Sequence, residues 1–573
     1  MKLYSPAAVM LFVALSARPA IAQVTVMRAD GTGGISMTSS GMARDNTPES
    51  TGSARIRGQV VASETGAGLR NVQVRLTGGG LREGRTAGTD GEGRYDIDSL
   101  PAGRYTLTAS KTGFVTLSYG QRRPFESGRP VEVADKQTME QVDFALPRGG
   151  VIVVRVTDEF GDPMSGVRVQ AERYRFLQGQ RSLGSVGSGG SPFGGGTDDR
   201  GEMRLYGMPP GEYFVSAGSG SGLSGSIGAT DKGRSYATSY YPGTGSVALA
   251  QTVDVRVGRE VSISFPLTTT RLARVSAIVQ SSDGAVLKQP SVSLSYSTAM
   301  GSGSRTMTTQ PDGSFSLADV PPGDYTINVS PPILDRSGTG EYASVPVKVE
   351  GEDIKGLTIT TGKGGRLRGR FVFDTPVTPD VRPASMRPMF VRASGRSNFG
   401  GPGLATVNAD WTFDLPGIVD AGIVRLSSQA VGWHLKAVMV NGKDVTDTPL
   451  DFSGGREVND VQVVVTRTRS EVAGVVTDSQ NAPVAEYVAL VFPEEREQWT
   501  TQSRFMGSGR PDQQGRFKIT GLPPGRYLVA AVDYLETGAE RDPDLLAQLK
   551  SSATLVSLGE GESKTVSLKV VTY

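Results

Sequence analysis

The sequence contains no cysteine and only one histidine among its 573 residues. Without cysteine there can be no disulfide, no thiolate ligand for a metal and no lipid attached to an N-terminal cysteine. The single histidine, His434, cannot supply the two imidazoles that a peptidase zinc site requires in motifs such as H-x-x-E or H-E-x-x-H. The sequence therefore predicts no catalytic residue, no metal site and no cofactor, and we interpret His434 as structural.

An excess of charge of one sign and long apolar runs are also missing. The formal net charge is +2 and the basic residues are scattered, so no nucleic-acid partner is expected. Beyond residue 22 no apolar stretch reaches the length of a membrane helix, so no transmembrane segment is expected in the mature chain. Residues 1–22 combine Lys2, an apolar run at 7–17 and the small-residue pattern Ala20-Ile21-Ala22, which is typical of a cleaved signal peptide. We expect a secreted or periplasmic protein, cleaved near Ala22, with a flexible leader at 23–53.

Glycine and proline are plentiful, at 75 and 33 residues, and many of them belong to a repeated phrase. Four segments share it: GRYDIDSLPAGRYTLTA (93–109), GEMRLYGMPPGEYFVSA (201–217), GSFSLADVPPGDYTINV (313–329) and GRFKITGLPPGRYLVAA (515–531). Apolar residues alternate on both sides of the prolines, which indicates two strands that each bury one face. The phrase therefore predicts a hairpin, and a type II turn would place Gly525 at positive φ after Pro524.

The spacing of the phrase predicts a modular chain. Its turn glycines stand at 103, 211, 323 and 525, and the double-length last interval contains a degenerate copy at 411–426 that aligns Phe413 with Phe517 and Gly422 with Gly525. Five modules of about 100 residues follow, which is a usual size for a β-sandwich. Their predicted bounds are 54–148, 149–269, 270–364, 365–467 (degenerate) and 468–573. We expect few contacts between modules that are distant in sequence.

The same residues resemble a known family. An opening strand, a turn such as GDPMSGVRV (161–169) and the LPPG hairpin resemble the carboxypeptidase regulatory-like domain, a transthyretin-like (prealbumin-like) β-sandwich related in shape to the starch-binding-like fold. The resemblance implies an all-β tandem array of about five antiparallel sandwiches. It also implies a role beside enzymes or receptors, or in repeat arrays of secreted bacterial proteins. The family has no peptidase activity of its own.

Aromatic residues outside the alternating positions are the candidate ligand-binding residues, because sugar rings stack on flat apolar faces. Trp499, in the polar stretch PEEREQWTTQSRF, is the first candidate. Tyr240 and Tyr241 in TSYYPGTG follow, and then Tyr119 with Phe125 in SYGQRRPF. The alternative is that these rings only cover the ends of their sandwiches.

Two other patterns receive structural interpretations. The acidic segments TDGEGRYDID (89–98) and TDDRGE (197–202) lack the spacing of a calcium loop, and aspartate before glycine is ordinary turn chemistry. One helix is predicted near residues 541–553, capped by Asp542, with an apolar stripe formed by Leu545, Leu546 and Leu549. We expect this helix to pack across an edge of the last sandwich.

These observations favour an exported, non-catalytic binding or scaffold protein. Its partner would be a polysaccharide, peptidoglycan or an envelope protein. The alternatives are an accessory component of a hydrolase or of an outer-membrane uptake system, and an enzyme with an unrecognised carboxylate site.

Overall fold

The computed structural model describes residues 51–572, apart from residues 80, 82–83, 178–179, 187–195, 219–233, 288, 299–300, 333–339, 378–380, 394–404, 431 and 501. Residues 51–573 form one compact unit. The predicted signal peptide and leader up to residue 50 lie outside the described residues. Within the described part of the chain, no helix is long and apolar enough to cross a membrane.

One strand arrangement recurs along the unit. The first strand of each sandwich pairs antiparallel with the strand that precedes the proline turn. The same first strand pairs in parallel with a strand near the end of its sandwich. The strand after the turn belongs to a second sheet, except that in sandwich 5 a long last strand joins both sheets.

Among the described residues, sandwich 1 has nine strands, and sandwich 2 has nine strands followed by one linking strand. Sandwich 1 consists of β1 (Ala54–Ala62), β2 (Gln73–Gly78), β3 (Arg85–Gly88), β4 (Arg94–Leu100), β5 (Gly103–Ser110), β6 (Leu117–Ser118), β7 (Val131–Val133), β8 (Thr138–Met139) and β9 (Phe144–Leu146). Sandwich 2 and its link consist of β10 (Gly150–Thr157), β11 (Arg168–Leu177), β12 (Gln180–Ser185), β13 (Glu202–Met208), β14 (Gly211–Gly218), β15 (Arg234–Tyr236), β16 (Ser239–Tyr240), β17 (Thr252–Val255), β18 (Glu260–Pro266) and β19 (Thr269–Arg271). The sheet order β12-β11-β14-β16 in sandwich 2 matches β3-β2-β5-β6 in sandwich 1.

The remaining strands form sandwiches 3 to 5. Sandwich 3 consists of β20 (Ala273–Gln280), β21 (Ser291–Thr298), β22 (Gly301–Thr308), β23 (Ser314–Val320), β24 (Gly323–Ser330), β25 (Glu341–Val349), β26 (Ile354–Thr360) and β27 (Gly362–Lys363). Sandwich 4 consists of β28 (Gly365–Phe373), β29 (Arg387–Arg392), β30 (Thr406–Val407), β31 (Thr412–Ile418), β32 (Ala421–Ser428), β33 (His434–Val440), β34 (Lys443–Asp444), β35 (Leu450–Asp451) and β36 (Glu457–Thr466). Sandwich 5 consists of β37 (Ser470–Thr477), β38 (Val488–Pro493), β39 (Gly507–Gly509), β40 (Arg516–Leu522), β41 (Gly525–Val532), α1 (Pro543–Leu549), β42 (Thr554–Leu558) and β43 (Ser563–Val571).

Each sandwich has its own cluster of buried apolar side chains. The clusters are built from the alternating positions of the strands, as in β5, where Tyr105, Leu107 and Ala109 are fully buried. The predicted all-β array of sandwiches is confirmed. The exact number of modules and their boundaries stay predictions.

The repeated phrase owes its tyrosine to a hydrogen bond. In four sandwiches the tyrosine two residues after the turn glycine is buried and donates its hydroxyl to the carbonyl of the first turn residue, a proline, at 2.5–2.9 Å. The pairs are Tyr105 with Pro101, Tyr213 with Pro209, Tyr325 with Pro321, and Tyr527 with Pro523. Because the hydroxyl of a buried tyrosine needs a hydrogen-bond partner, the proline carbonyl of the turn satisfies it in these four copies.

The prediction that Gly525 adopts positive φ is wrong. The left-handed residue lies four positions earlier, at Gly521 with φ +82°, and Gly525 begins strand β41. Positive φ recurs at the same position in the other sandwiches, at Ser99, Gly207, Asp319 and Gly417, each beside a break in strand register. A β-bulge therefore ends the first strand of the hairpin. In sandwich 4 the residue that corresponds to Gly525 is Ala421, which begins β32, and not Gly422. The degenerate copy therefore has the same length between the two aligned positions as the other copies.

The predicted helix is confirmed as α1. The Asp542 side chain accepts a hydrogen bond from the Asp544 backbone N–H at 3.0 Å, and Leu545, Leu546 and Leu549 are buried. They pack on the outward side chains of β38 and β41, such as Leu490. The helix therefore covers a sheet face, whereas the sequence predicted an edge.

Sandwich 5 contacts sandwiches 1 and 2, so the expectation of few distant contacts is wrong. Arg510, which directly follows β39 of sandwich 5, binds Glu126 of sandwich 1 at 3.2 Å and Glu486 of its own sandwich at 3.1 Å. Arg129 also reaches Glu486, at 3.1 Å. We call these four residues the clasp. In sandwich 2, Arg173 binds Glu536 through two hydrogen bonds of 2.7 and 3.0 Å.

Candidate functional site

Trp499, the first candidate from sequence, lies in the core of sandwich 5. Its indole N–H donates to the Pro493 carbonyl at 2.8 Å, and its ring meets Phe492 edge-on with centroids 5.7 Å apart. The residue is 8% exposed and packs in the cluster beneath α1. The expectation that Trp499 lies outside the core is therefore wrong, because the polar residues around it in sequence point elsewhere.

The tyrosine candidates are half-buried and lie apart from Trp499. Tyr241 packs edge-on against Phe265 with centroids 6.1 Å apart. Tyr240 lies on β16, where burial raises its pKa to about 12. Tyr119 of sandwich 1 meets Phe144 with centroids 5.9 Å apart, and burial raises its pKa. The rings of Tyr119 and Tyr241 each pack against the buried cluster of their own sandwich.

Phe125 belongs to the contact between sandwiches. The Arg173 guanidinium lies 3.8 Å from its ring centroid, and its carbonyl accepts a hydrogen bond from the Thr537 N–H at 3.0 Å. It therefore joins sandwiches 1, 2 and 5 and is not an open stacking platform.

The acidic segments are turns. The Asp90 side chain accepts from the N–H groups of Glu92 and Arg94 at 3.0 and 2.7 Å, and Asp198 accepts from those of Arg200 and Glu202 at 3.0 and 2.8 Å. Hydrogen bonding to the Arg94 backbone lowers the pKa of Asp90. In the described ranges no three His, Asp or Glu residues lie close enough together to hold a metal ion.

A cleft of about 470 Å³ between sandwiches 4 and 5 contains His434. Its Nε2 lies 2.8 Å from the Thr468 carbonyl, so Nε2 carries the proton and donates it. Burial lowers the pKa of His434. Charged groups of the cleft are paired with each other, as in Arg504 with Asp447 at 3.0 Å and Lys436 with Glu560. His434 therefore makes a structural hydrogen bond, and these charged residues of the cleft form ion pairs with one another.

A second groove, of about 810 Å³, lies on sandwich 3. It is lined by hydroxyl side chains, for example Ser276, Thr306 and Ser316, and by the apolar Ile278 and Met307. Among the described residues that line it, the one aromatic residue is Phe315, which is buried in the core. This groove offers hydrogen bonds but no exposed ring for stacking.

A third groove, of about 620 Å³, lies at the junction of sandwiches 1 and 2. It presents two half-buried rings, Tyr206 and Phe114, beside the exposed amides of Asn71 and Gln73. Lys111 is held in its wall by a hydrogen bond to the Arg70 carbonyl at 2.8 Å. We call this surface the Tyr206 groove. Apolar rings with a few convergent polar groups are the usual composition of a small-ligand site.

The junction beneath the groove is closely packed. The Gly149 N–H donates to the Gly113 carbonyl at 3.0 Å. A Cβ atom at Gly149 would collide with the backbone of Gly207 on β13, so the segment that enters sandwich 2 passes this strand as closely as glycine permits. Because Gly207 follows Tyr206 directly, the linking segment that is hydrogen-bonded to sandwich 1 at Gly113 passes beside Tyr206.

Sequence reasoning missed Tyr206, although a signal was present. Tyr206 stands five residues before the turn glycine, where the other copies of the phrase have Asp98, Ala318 and Thr520. Position-by-position comparison of the repeats would have singled out an aromatic ring at an otherwise small or polar outward position. The meeting of this ring with Asn71 and Gln73 depends on the packing of two sandwiches, which the repeat does not encode.

The comparisons with solved structures find pilus proteins and others at low similarity. The TIE protein of Bacillus anthracis is 13% identical, with 82% of this chain and 71% of that chain covered and a TM-score of 0.14. The full-length RrgB pilus protein of Streptococcus pneumoniae is 10% identical, with 74% and 98% covered and a TM-score of 0.16. GBS52, the minor pilin of Streptococcus agalactiae, is 14% identical, with 38% and 95% covered and a TM-score of 0.20. Scores this low support no argument about function.

No curated protein matches the sequence significantly. The model of the carboxypeptidase regulatory-like domain matches residues 55–147, which span the strands of sandwich 1 from β1 to β9. The resemblance carried by the repeated phrase is confirmed for this segment. Residues 55–147 are therefore similar to the carboxypeptidase regulatory-like domain family.

Proposed function

We propose that the protein is exported and acts as a non-catalytic binding and scaffold protein that holds extracellular or cell-envelope polysaccharide in the Tyr206 groove. The observation that carries this proposal is the composition of the groove, where the rings of Tyr206 and Phe114 stand beside two exposed amide side chains. A sugar ring has an apolar face for stacking and a rim of hydroxyls for hydrogen bonds. Aromatic rings and amides supply both complements.

The size and stiffness of the groove support the same role. Its volume of about 620 Å³ lies within the usual range for small-ligand sites and suits a short oligosaccharide. The hydrogen bond from the Gly149 N–H to the Gly113 carbonyl joins the two walls before a ligand arrives. A preformed site loses less conformational entropy on binding. Export is proposed from the signal-peptide pattern of residues 1–22.

The test is retention of the mature chain, residues 23–573, on immobilised peptidoglycan and on a panel of soluble polysaccharides. Wild type should bind at least one of them saturably. Tyr206→Ala should weaken that binding about tenfold or more, since a stacked ring contributes on the order of 1–3 kcal/mol in comparable aromatic contacts. The melting curve of the variant should stay close to that of wild type, because Tyr206 belongs to neither of the buried clusters of sandwiches 1 and 2.

Phe160→Ala is the matched control. Phe160 is also an aromatic residue of sandwich 2, is 83% exposed and lies outside the groove. Its removal should leave polysaccharide binding unchanged. Equal binding by wild type and Tyr206→Ala, or no retention of wild type on any polysaccharide, would contradict the proposal.

A further inference from the structure

Sandwich 2 carries a buried carboxylate on the outer face of its sheet β12-β11-β14-β16. Glu172 lies on β11 opposite Phe214 of β14. The corresponding residues of the other sandwiches, by the same pairing, carry no charge: Thr77 in sandwich 1, Ser295 in sandwich 3, Phe390 in sandwich 4 and Phe492 in sandwich 5. A carboxylate at this position is therefore a feature of sandwich 2 and not a requirement of the fold.

Glu172 is fully buried and only half satisfied. The Ser216 hydroxyl donates to its Oε1, whereas its Oε2 has no hydrogen-bond partner among the described residues. The Oε1 of Gln170 is likewise buried without a partner in the described part of the chain. Because the two residues are two positions apart on one strand, both acceptors lie on the same sheet face. Each buried acceptor without a donor costs about 1–3 kcal/mol.

The surroundings of the two acceptors are aromatic. Phe214 lies directly opposite Glu172, and Tyr174 meets Phe214 edge-on with centroids 5.7 Å apart. Tyr240 pairs with Ser216 on the other side of β14. Tyr174 is 38% exposed, so the face opens to solvent at this ring. The guanidinium of Arg181 already lies 4.9 Å from the Tyr174 centroid, which shows that this ring accepts a cation.

This combination narrows the chemistry of a ligand. A buried carboxylate is stabilised by a cation, and two acceptors without donors require a group with several N–H or O–H bonds. One carboxylate and one amide oxygen are too few for calcium, which takes six to eight oxygen ligands. A primary ammonium group has three donors and is attracted to aromatic rings.

We infer that this face of sandwich 2 binds a protonated primary amine, with the ammonium group donating to Glu172 Oε2 and Gln170 Oε1 between the rings of Tyr174 and Tyr240. The four residues are the amine site. None of them lines the Tyr206 groove, so the inference goes beyond the proposed function and does not depend on it. An amino sugar and a simple alkyl amine share this chemistry.

The test is calorimetric titration of the chain 23–573 at about pH 8 with glucosamine, n-butylamine and N-acetylglucosamine. The two amines should bind saturably and the acetylated sugar should not, because acetylation removes the charge. Binding of glucosamine alone would identify an amino sugar as the source, and equal binding of n-butylamine would identify the amine alone. Either result supports the site.

Glu172→Gln is the decisive variant, because it keeps the shape of the side chain and removes a buried charge, so it should fold at least as well as wild type. It should lose amine affinity at least tenfold, while Tyr206→Ala should bind amines as wild type does. The inference is overturned if wild type binds neither amine, if Glu172→Gln binds them equally well, or if Tyr206→Ala abolishes the binding.

Discussion

The clasp gives the sharpest test of how the sandwiches are held together. The Arg510 side chain is 4% exposed and binds Glu126 and Glu486, whose sandwiches differ. Arg510→Met keeps most of the side-chain volume but removes the charge and both ion pairs. We expect the contact between sandwiches 1 and 5 to weaken, because Glu126 would be left buried without a counterion.

The expected cost of Arg510→Met depends on the hydrogen bonds that Glu126 keeps in the variant. Removing one partner of a buried ion pair costs about 3–5 kcal/mol. Glu126 would still accept hydrogen bonds from the backbone N–H groups of Arg122 and Arg123 at 3.2 and 3.3 Å, and Glu486 would keep Arg129 at 3.1 Å. We therefore expect the lower end, about 3 kcal/mol. The cost of Arg510→Met cannot exceed the free energy with which sandwich 5 docks on sandwich 1. If the two sandwiches separate, Glu126 is exposed to water again and its burial costs nothing further.

Hydrogen–deuterium exchange measures this opening directly. In Arg510→Met the amides of residues 119–129 and 533–541 should exchange faster, while the core strands of both sandwiches keep their protection. A double-mutant cycle with Glu126→Gln should give a coupling energy well above 1 kcal/mol. The matched control is Arg94→Met, whose partner Asp90 is exposed, and it should cost at most about 1 kcal/mol.

Two results would refute the reasoning. One is unchanged exchange at both segments in Arg510→Met. The other is a coupling energy between Arg510 and Glu126 no larger than that of the exposed pair Arg94 and Asp90. Either would mean that sandwich 5 does not dock through the clasp in solution.

Three further predictions concern single sandwiches. Gly521→Ala should destabilise sandwich 5 by about 1–2 kcal/mol because Gly521 has φ +82°, whereas Gly525→Ala should cost much less, since the added Cβ meets the Tyr527 ring at an ordinary 3.5 Å; urea midpoints compare them. Trp499→Ala should cost about 3–5 kcal/mol in the same assay, and a cost below about 1 kcal/mol would show that the ring is not core. Burial raises the pKa of Glu172 from 4.5 to about 7, so the folded state favours the protonated carboxyl. The contribution of this carboxyl to stability is therefore lost as the pH rises from about 4.5 to about 7. The difference in unfolding free energy between Glu172→Gln and wild type should therefore grow over this range, by at most about 3 kcal/mol, and a difference independent of pH would contradict the buried carboxylate.

The helix and the hairpins show how far local pattern carries. Asp542, Pro543 and the leucine stripe predict α1 because capping and amphipathicity act within a few residues. The proline phrase predicts a hairpin because proline ends a strand wherever it stands. The same reasoning misplaced the left-handed residue. A β-bulge and a tight turn both favour glycine, so the sequence alone does not tell whether Gly521 or Gly525 has positive φ.

Candidate side chains were harder to predict. A polar stretch around Trp499 indicated exposure, but the ring turns inward beneath α1, and neighbouring residues on an irregular segment need not share its direction. Glu172 carries no motif at all. Its significance arises because the strands β11, β14 and β16 bring it beside Ser216, Phe214 and Tyr240.

The sequence by itself determined the sandwiches, since alternation of apolar residues and the stereochemistry of a proline turn act within each hairpin and need no distant partner. Only the tertiary structure decided how the sandwiches meet. Arg510 and Glu126 are single charged residues far apart in the chain, and no period marks them as partners. The Tyr206 groove likewise exists only where sandwiches 1 and 2 meet, beside the hydrogen bond between Gly149 and Gly113. Contacts between folded surfaces depend on which side chains each surface presents. Those surfaces exist only once each sandwich has folded, so the local pattern does not specify their contacts.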